Sequence, residues 1–88
     1  MPLGHYVWTA HARARLRERR LDRREVEEAI RAGHDRREVN DGRAQWVVHG
    51  RTAHGAAFEV VYDHPHGTDP DTARVVSAWR VDELAGNA

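Results

Sequence analysis

The sequence contains no cysteine and no lysine. Without cysteine, the chain can form neither a disulfide nor a thiolate metal site. All 14 basic residues other than histidine are arginines, a pattern that favours a G+C-rich coding bias over a specific role for each arginine. The chain also lacks an apolar run long enough to span a bilayer and a basic-then-apolar leader. We therefore expect a bacterial-type cytoplasmic protein without a membrane contact.

The sequence has no excess of charge of either sign, because 14 acidic residues balance the 14 arginines. Strong nucleic-acid binders usually carry net positive charge, so this balance is evidence against one. The charge is nevertheless uneven. Residues 1–37 hold ten arginines and six acids, a balance of +4, whereas residues 38–88 hold four arginines and eight acids, a balance of −4. The basic half is the half predicted to be helical.

The chain of 88 residues is long enough for one small domain and shows no repeats or linkers. We predict a single domain over 1–88, with its core at about 6–81 and a tail at 82–88. No cofactor is predicted, because the sequence has no Gly-rich phosphate loop and no nucleophile elbow.

Two helices are predicted in the first half. Thr9 is a plausible N-cap for a helix that runs to about Arg20. A second helix begins after Asp22 and ends at Gly33, and Glu25 stands at the capping-box position. A short connection makes the pair an αα-hairpin. Its core stripe is predicted to include Val26, Ala29 and Ile30.

The apolar period then changes from 3.6 to 2, which predicts strands. The dipeptide Asp41–Gly42 predicts a two-residue type I′ hairpin turn. With a first strand over 5–9, the element order is β-α-α-β-β-β-β, and we expect an α+β domain with an antiparallel sheet covered on one face by the helices. The later strands are predicted at 36–40, 43–50, 55–63 and 73–81.

The first helix carries a polar stripe of chemical interest. His11, Arg15 and Arg19 are spaced i, i+4, i+8 beside the apolar Ala12 and Leu16, so they are predicted to lie at the boundary with the sheet. One interpretation is structural, with His11 capping a strand or hydrogen-bonded to it, and Arg15 paired with Glu59 or Asp63. The other is an anion or phosphate site, with His11 able to transfer protons at neutral pH. The arginines predicted to face water are Arg13, Arg17 and Arg20.

The sequence contains the stretch T-A-H-A-R-A-R-L-R-E-R-R-L, a following D-x-x-E-V-E-x-A-I helix, a D-G-R hairpin and the strands F-E-V-V-Y and R-V-V-S-A-W. Together these five features resemble a bacterial family of small domains. That family opens with T-x-H-A-x-x-R-x-x-x-R and is similar in layout to the RelE/ParE/BrnT toxin superfamily. The resemblance covers about residues 6–81. It implies a RelE-like fold, with a twisted antiparallel sheet and a helical hairpin on one face.

The same resemblance implies a function. Ribonuclease toxins of this fold cut RNA without a metal, by attack of the ribose 2′-OH on the adjacent phosphate, while other RelE-like domains poison gyrase. Members similar to BrnT carry an arginine in a last-strand S-A-R. Here Ser77-Ala78-Trp79 precedes Arg80, and a one-residue shift turns a strand side chain to the other face.

On this basis His11, Arg15 and Arg19 are the candidate catalytic residues, and Arg51, Tyr62 and Arg80 are the candidate substrate-binding residues. Core packing is the alternative for Tyr62, which shares a strand face with Phe58. Trp46 and Trp79 are predicted to lie in the core or in an exposed patch on the sheet, which would fit an antitoxin or homodimer surface.

The sequence holds seven histidines, and His64 and His66 have the H-x-H spacing. A metal site needs three or four convergent ligands. Spacing alone does not establish that convergence, so no metal site is predicted.

Three functions remain open. The first is a toxin-like domain of a toxin–antitoxin system, acting on RNA as a metal-independent endoribonuclease, with an antitoxin-like protein as partner. The second is a non-catalytic protein-binding module of the same fold. The third is DNA binding by the helical hairpin, which the apolar stripe of the second helix argues against, because that stripe is expected to be buried.

Overall fold

The computed structural model describes residues 3–81, so the predicted tail at 82–88 lies outside the described residues. The chain follows the predicted order of elements, with one added 3₁₀ turn between the second helix and the second strand. The elements are β1 (His5–Trp8), α1 (Ala10–Glu18), α2 (Arg23–Gly33), the 3₁₀ turn (His34–Arg36), β2 (Glu38–Val39), β3 (Trp46–Arg51), β4 (Ala57–Asp63) and β5 (Thr72–Arg80).

Both helices begin at the predicted caps. The Thr9 hydroxyl accepts a hydrogen bond from the backbone N–H of Ala12 at 2.9 Å, and the Asp22 carboxylate accepts one from that of Arg24 at 2.8 Å. These bonds satisfy backbone donors that have no partner within the helix. The predicted capping box is wrong, because the Glu25 carboxylate accepts instead from the backbone N–H of Ala53, beyond β3.

The five strands form one mixed sheet in the order β1-β5-β4-β3-β2. Three neighbouring pairs are antiparallel, but β1 lies parallel to β5. The prediction of a purely antiparallel sheet is therefore wrong at this edge. A parallel pair needs a long connection, and here both helices and three strands separate the two members in sequence.

The core lies between the helices and one face of the sheet. Phe58, Val60 and Tyr62 alternate along β4 and are each 0–1% exposed, as are Val26 and Ile30 of α2. Helix α1 packs mainly against β5, and α2 against β3. The predicted helical cover of one sheet face is thus confirmed. Neither helix within residues 3–81 is long and apolar enough to cross a bilayer.

The connection between β2 and β3 is longer than predicted. It spans residues 40–45 and is closed by a hydrogen bond from the Asn40 N–H to the Gln45 carbonyl at 3.0 Å. A type I′ turn requires positive φ at both central residues, yet Asp41 and Gly42 are not among the described residues with positive φ. The predicted two-residue turn is therefore wrong, and the wider loop carries Arg43 to the open face of the sheet, opposite the helices.

Candidate functional site

Helix α1 lies beside the sheet edge that β1 leaves uncovered. Because β1 pairs only with residues 72–75 of β5, the second half of β5 has no strand neighbour on that side. The α1 segment occupies this place. The Thr9 hydroxyl donates to the Val76 carbonyl at 3.4 Å, and the Arg19 guanidinium donates to the Ala78 carbonyl at 3.0 Å. This docking turns one long side of α1 toward the open face of the sheet.

A groove of about 390 Å³ results, which we call the α1 groove. The first wall is the predicted stripe His11, Arg15 and Arg19, so the prediction that these three side chains share the helix–sheet boundary is confirmed. The floor comes from β4 and β5, and the opposite wall from the loop at 40–45. The remaining lining residues are Asn40, Gly42, Arg43, Val61, Val76, Ser77 and Trp79.

The α1 groove concentrates positive charge in a chain whose formal net charge is zero. Three arginines line it, and none of its described lining residues is acidic. The Arg15 guanidinium contacts the carboxylate of Glu18 at 2.5 Å, with both side chains more than one-third exposed. An exposed pair of this kind contributes only about 0–1 kcal/mol, so an incoming anion can compete for Arg15.

The contacts predicted for His11 and Arg15 by the structural interpretation do not form among the described residues, although Arg19 of the same stripe does hold α1 to the Ala78 carbonyl of β5. Glu59 contacts Trp79 and His49, while Asp63 contacts Arg74 at 3.6 Å, so neither is the partner of Arg15. The His11 side chain is exposed at the groove and makes no hydrogen bond with the residues that the structure describes. Its imidazole is accessible to a ligand.

A row of polar side chains crosses the open face beside the α1 groove. The His49 imidazole lies between two carboxylates, with Nε2 at 3.1 Å from Glu38 and Nδ1 at 3.3 Å from Glu59. Glu59 also accepts a hydrogen bond from the Trp79 indole N–H at 2.9 Å. We call these four residues the open-face row. Sequence reasoning missed it because the row depends on the strand register, in which His49, Glu59 and Trp79 stand directly opposite one another.

The three predicted substrate-binding residues do not join the α1 groove. Arg51 stands at the far end of β3 and donates to the Gly55 carbonyl at 2.9 Å. Arg80 points to the helix face and donates to the carbonyls of Arg19 and Arg20 at 2.9 and 3.1 Å. Arg80, which stands one position after the arginine of the S-A-R pattern, therefore makes a structural contact at the end of α1.

Tyr62 is fully buried, which supports the core alternative. Its hydroxyl lies 2.7 Å from Nδ1 of His34, and burial raises the pKa of Tyr62 to about 12. Burial also lowers the pKa of His34, and the charges of Arg37 and His64 act in the same direction. This pair ties the end of α2 to β4, away from the α1 groove.

The histidines do not converge on a metal site within residues 3–81. No group of three or more potential ligands is placed there to hold an ion. His64 instead donates a hydrogen bond from its Nε2–H to the Pro70 carbonyl at 2.8 Å.

Comparison with protein-family models gives a match. A family model described as "Domain of unknown function (DUF4258)" matches residues 8–80. That range holds both helices, strands β2 to β5 and every residue lining the α1 groove, but only the last residue of β1. Searches of curated proteins and of solved structures gave no match.

Proposed function

The chain belongs to the DUF4258 family, and we propose that this member binds RNA in the α1 groove and cleaves it without a metal. The observation that carries the proposal is the groove itself. It brings one accessible imidazole and three guanidinium groups to a single surface, with no carboxylate among its described lining residues. Guanidinium groups suit phosphate, because they donate two parallel hydrogen bonds to it.

In the proposed reaction, His11 removes the proton of a ribose 2′-OH. The 2′ oxygen attacks the adjacent phosphorus, and the P–O5′ bond breaks, leaving a cyclic 2′,3′-phosphate. The departing 5′ oxygen takes a proton from solvent water, and His11 returns its proton to solvent. Arg15, Arg19 and Arg43 stabilise the negative charge that develops on the phosphate oxygens. An imidazole suits the proton transfer because it exchanges protons near neutral pH.

We further propose that the domain is RelE-like and acts in the cytoplasm as the toxin of a toxin–antitoxin pair. The order of helices and strands and the polar stripe on α1 support this proposal. The parallel β1–β5 pair is a departure from the antiparallel sheet expected for that fold. An antitoxin-like protein would then be the partner that keeps the α1 groove from RNA.

The test compares the wild-type protein with His11→Ala in cleavage of a labelled single-stranded RNA, with a chelator present. His11→Ala should lower the cleavage rate by about 10²–10⁴-fold, the usual contribution of a positioned acid–base group. His54→Ala is the matched control, because His54 is an exposed histidine outside the groove. Circular dichroism establishes that both variants fold. A wild-type protein that cuts no RNA, or a His11→Ala protein that cuts at the wild-type rate, contradicts the cleavage proposal.

A second candidate function is protein binding at the β3 edge. Strand β2 covers only Trp46 and Val47 of β3. The Thr52 N–H donates to the Ala56 carbonyl at 2.8 Å. In an antiparallel pair only every second residue hydrogen-bonds to the partner strand. The backbone N–H and C=O groups of His49 and Arg51 therefore point away from β4. An uncovered edge of this kind can accept a strand from another chain.

The strand donor in this alternative is a protein partner or a second copy in a homodimer. Light scattering of the purified protein distinguishes a monomer from a dimer. Protection of the His49 and Arg51 amides from hydrogen exchange in a complex would support strand addition there. Unchanged exchange at both amides in a stable complex contradicts it.

A further inference from the structure

We propose that Trp79 is a nucleobase-stacking platform within the α1 groove, so that the groove takes a single-stranded segment of nucleic acid. The inference rests on the proposed RNA binding and adds the class of substrate and the residue that selects it. Trp79 lines the same groove as His11, Arg15 and Arg43. A base stacked on the indole would therefore lie beside guanidinium groups that bind its phosphate.

The position of Trp79 in the strand gives the indole no role in the core. Its neighbour Ala78 faces the helices and is 1% exposed, whereas Trp79 stands opposite Glu59 on the open face. The ring is only partly buried there. A large aromatic side chain on the solvent side of a sheet, at the floor of a cationic groove, is the arrangement by which single strands are bound without sequence readout.

The open-face row fixes the orientation of the indole. Glu59 accepts from the Trp79 N–H at 2.9 Å and is itself 3.3 Å from His49, which contacts Glu38 at 3.1 Å. The indole N–H is thus hydrogen-bonded to the Glu59 carboxylate, and that carboxylate is in turn held by His49. A ring held in place before binding loses little conformational freedom when a base stacks on it.

The other two tryptophans show what a covered ring looks like in this protein. The Arg23 guanidinium lies 5.6 Å from the centre of the Trp8 ring, and that of Arg37 lies 4.2 Å from the centre of the Trp46 ring. Among the described residues no cation or aromatic ring stacks on Trp79. The rings of the other two tryptophans are thus each engaged by a guanidinium group, whereas no such contact engages Trp79 among the described residues.

The experiment measures binding of a fluorescein-labelled, uncleavable 2′-O-methyl RNA of mixed sequence by anisotropy. The comparison ligand is the same backbone with abasic sites, which keeps the phosphates and removes the bases. We expect the abasic strand to bind the wild-type protein about 5- to 150-fold more weakly, the range typical of losing one stacked base. Trp79→Ala should weaken binding of the intact strand by a similar factor and leave the abasic strand unaffected. Trp79→Phe should restore most of the loss.

The wild-type comparison of intact and abasic strands needs no variant, so it holds even if Trp79→Ala fails to fold. Equal binding of the two strands, or equal binding of single-stranded and duplex RNA, overturns the stacking proposal. If the intact and abasic strands bind equally and Arg43→Ala weakens both, RNA binding stands and only the role of Trp79 fails. If neither strand binds, the proposed function fails, and the stacking site fails with it.

Discussion

Among single residues, His34 makes the stability of the fold depend on pH. Burial lowers the pKa of His34, and its Nδ1 contacts the buried Tyr62 hydroxyl. The unfolded chain, in which the histidine pKa is about 6.5, then binds the proton more readily than the folded protein. The contribution of neutral His34 to stability is fully present when the pH is above the pKa of the unfolded chain. It is lost as the pH falls from that pKa toward the lower pKa of the folded protein.

We therefore expect the free energy of unfolding to fall as the pH is lowered below about 6.5, the pKa of histidine in the unfolded chain. His34→Gln should flatten this decline, because an amide can still hydrogen-bond Tyr62 but does not titrate. Urea unfolding at a series of pH values measures the effect. His54→Gln is the matched control on an exposed histidine and should keep the wild-type slope. If the unfolding free energies of His34→Gln and His54→Gln depend on pH with the same slope, His34 is not the source of the pH dependence.

Some residues of the α1 groove could be predicted from the sequence and others could not. His11, Arg15 and Arg19 were predictable because helical spacing alone places them on one side of α1. Arg43 and Trp79 were not, because they reach the groove only through the loop at 40–45 and the β5 position beside α1. Local patterns fix a helix face, but sheet register and loop path are set by tertiary packing.

Among the elements, the packing of α2 on β3 depends on Gly50. A Cβ atom there would lie 2.6 Å from Cζ of Phe58 and 2.8 Å from Cβ of Ala29. Gly50→Ala should lower the free energy of unfolding by about 1–3 kcal/mol, because neither the ring nor the helix can move aside without disturbing the core. Gly4→Ala is the control, since a Cβ at Gly4 meets nothing within 4 Å. Equal unfolding midpoints for the two variants would be inconsistent with this contact.

The orientation of α2 can be tested at Ile30, which is fully buried. Ile30→Ala should cost about 2–5 kcal/mol of unfolding free energy, from lost burial and the cavity that remains. Val39→Ala, at a valine that is 75% exposed, should leave the stability nearly unchanged. Thermal or urea unfolding measures both. A wild-type midpoint for Ile30→Ala would contradict the assigned face of α2.

The elements also show where sequence patterns stopped being informative. The caps at Thr9 and Asp22 and the apolar stripe of α2 are local features, and all three form as predicted. The parallel placement of β1 beside β5 and the width of the β2–β3 loop depend on contacts across the sheet. The sequence Asp41–Gly42 favours a tight turn locally, but the loop instead closes between Asn40 and Gln45.

For the whole molecule, zero net charge means that RNA affinity must come from local charge in the α1 groove. Three arginines contacting phosphate should give a slope of about −2 for the logarithm of the binding constant against the logarithm of salt concentration. Arg43→Ala should reduce the magnitude of that slope by about 0.7. Arg13→Ala is the control, because Arg13 is exposed outside the groove. Equal slopes for the two variants would show that the contacts are not in the groove.

The location of RNA on the protein tests the central claim most directly. The measurement is a titration of ¹⁵N-labelled protein with the uncleavable 2′-O-methyl RNA, followed by heteronuclear NMR of backbone amides and tryptophan indoles. We expect the largest shifts at His11, Arg15, Arg43 and the Trp79 indole, with little change at Thr52 beside the β3 edge. Shifts confined to the β3 edge, or no shifts at saturating RNA, would contradict the assignment of the α1 groove as the RNA-binding site.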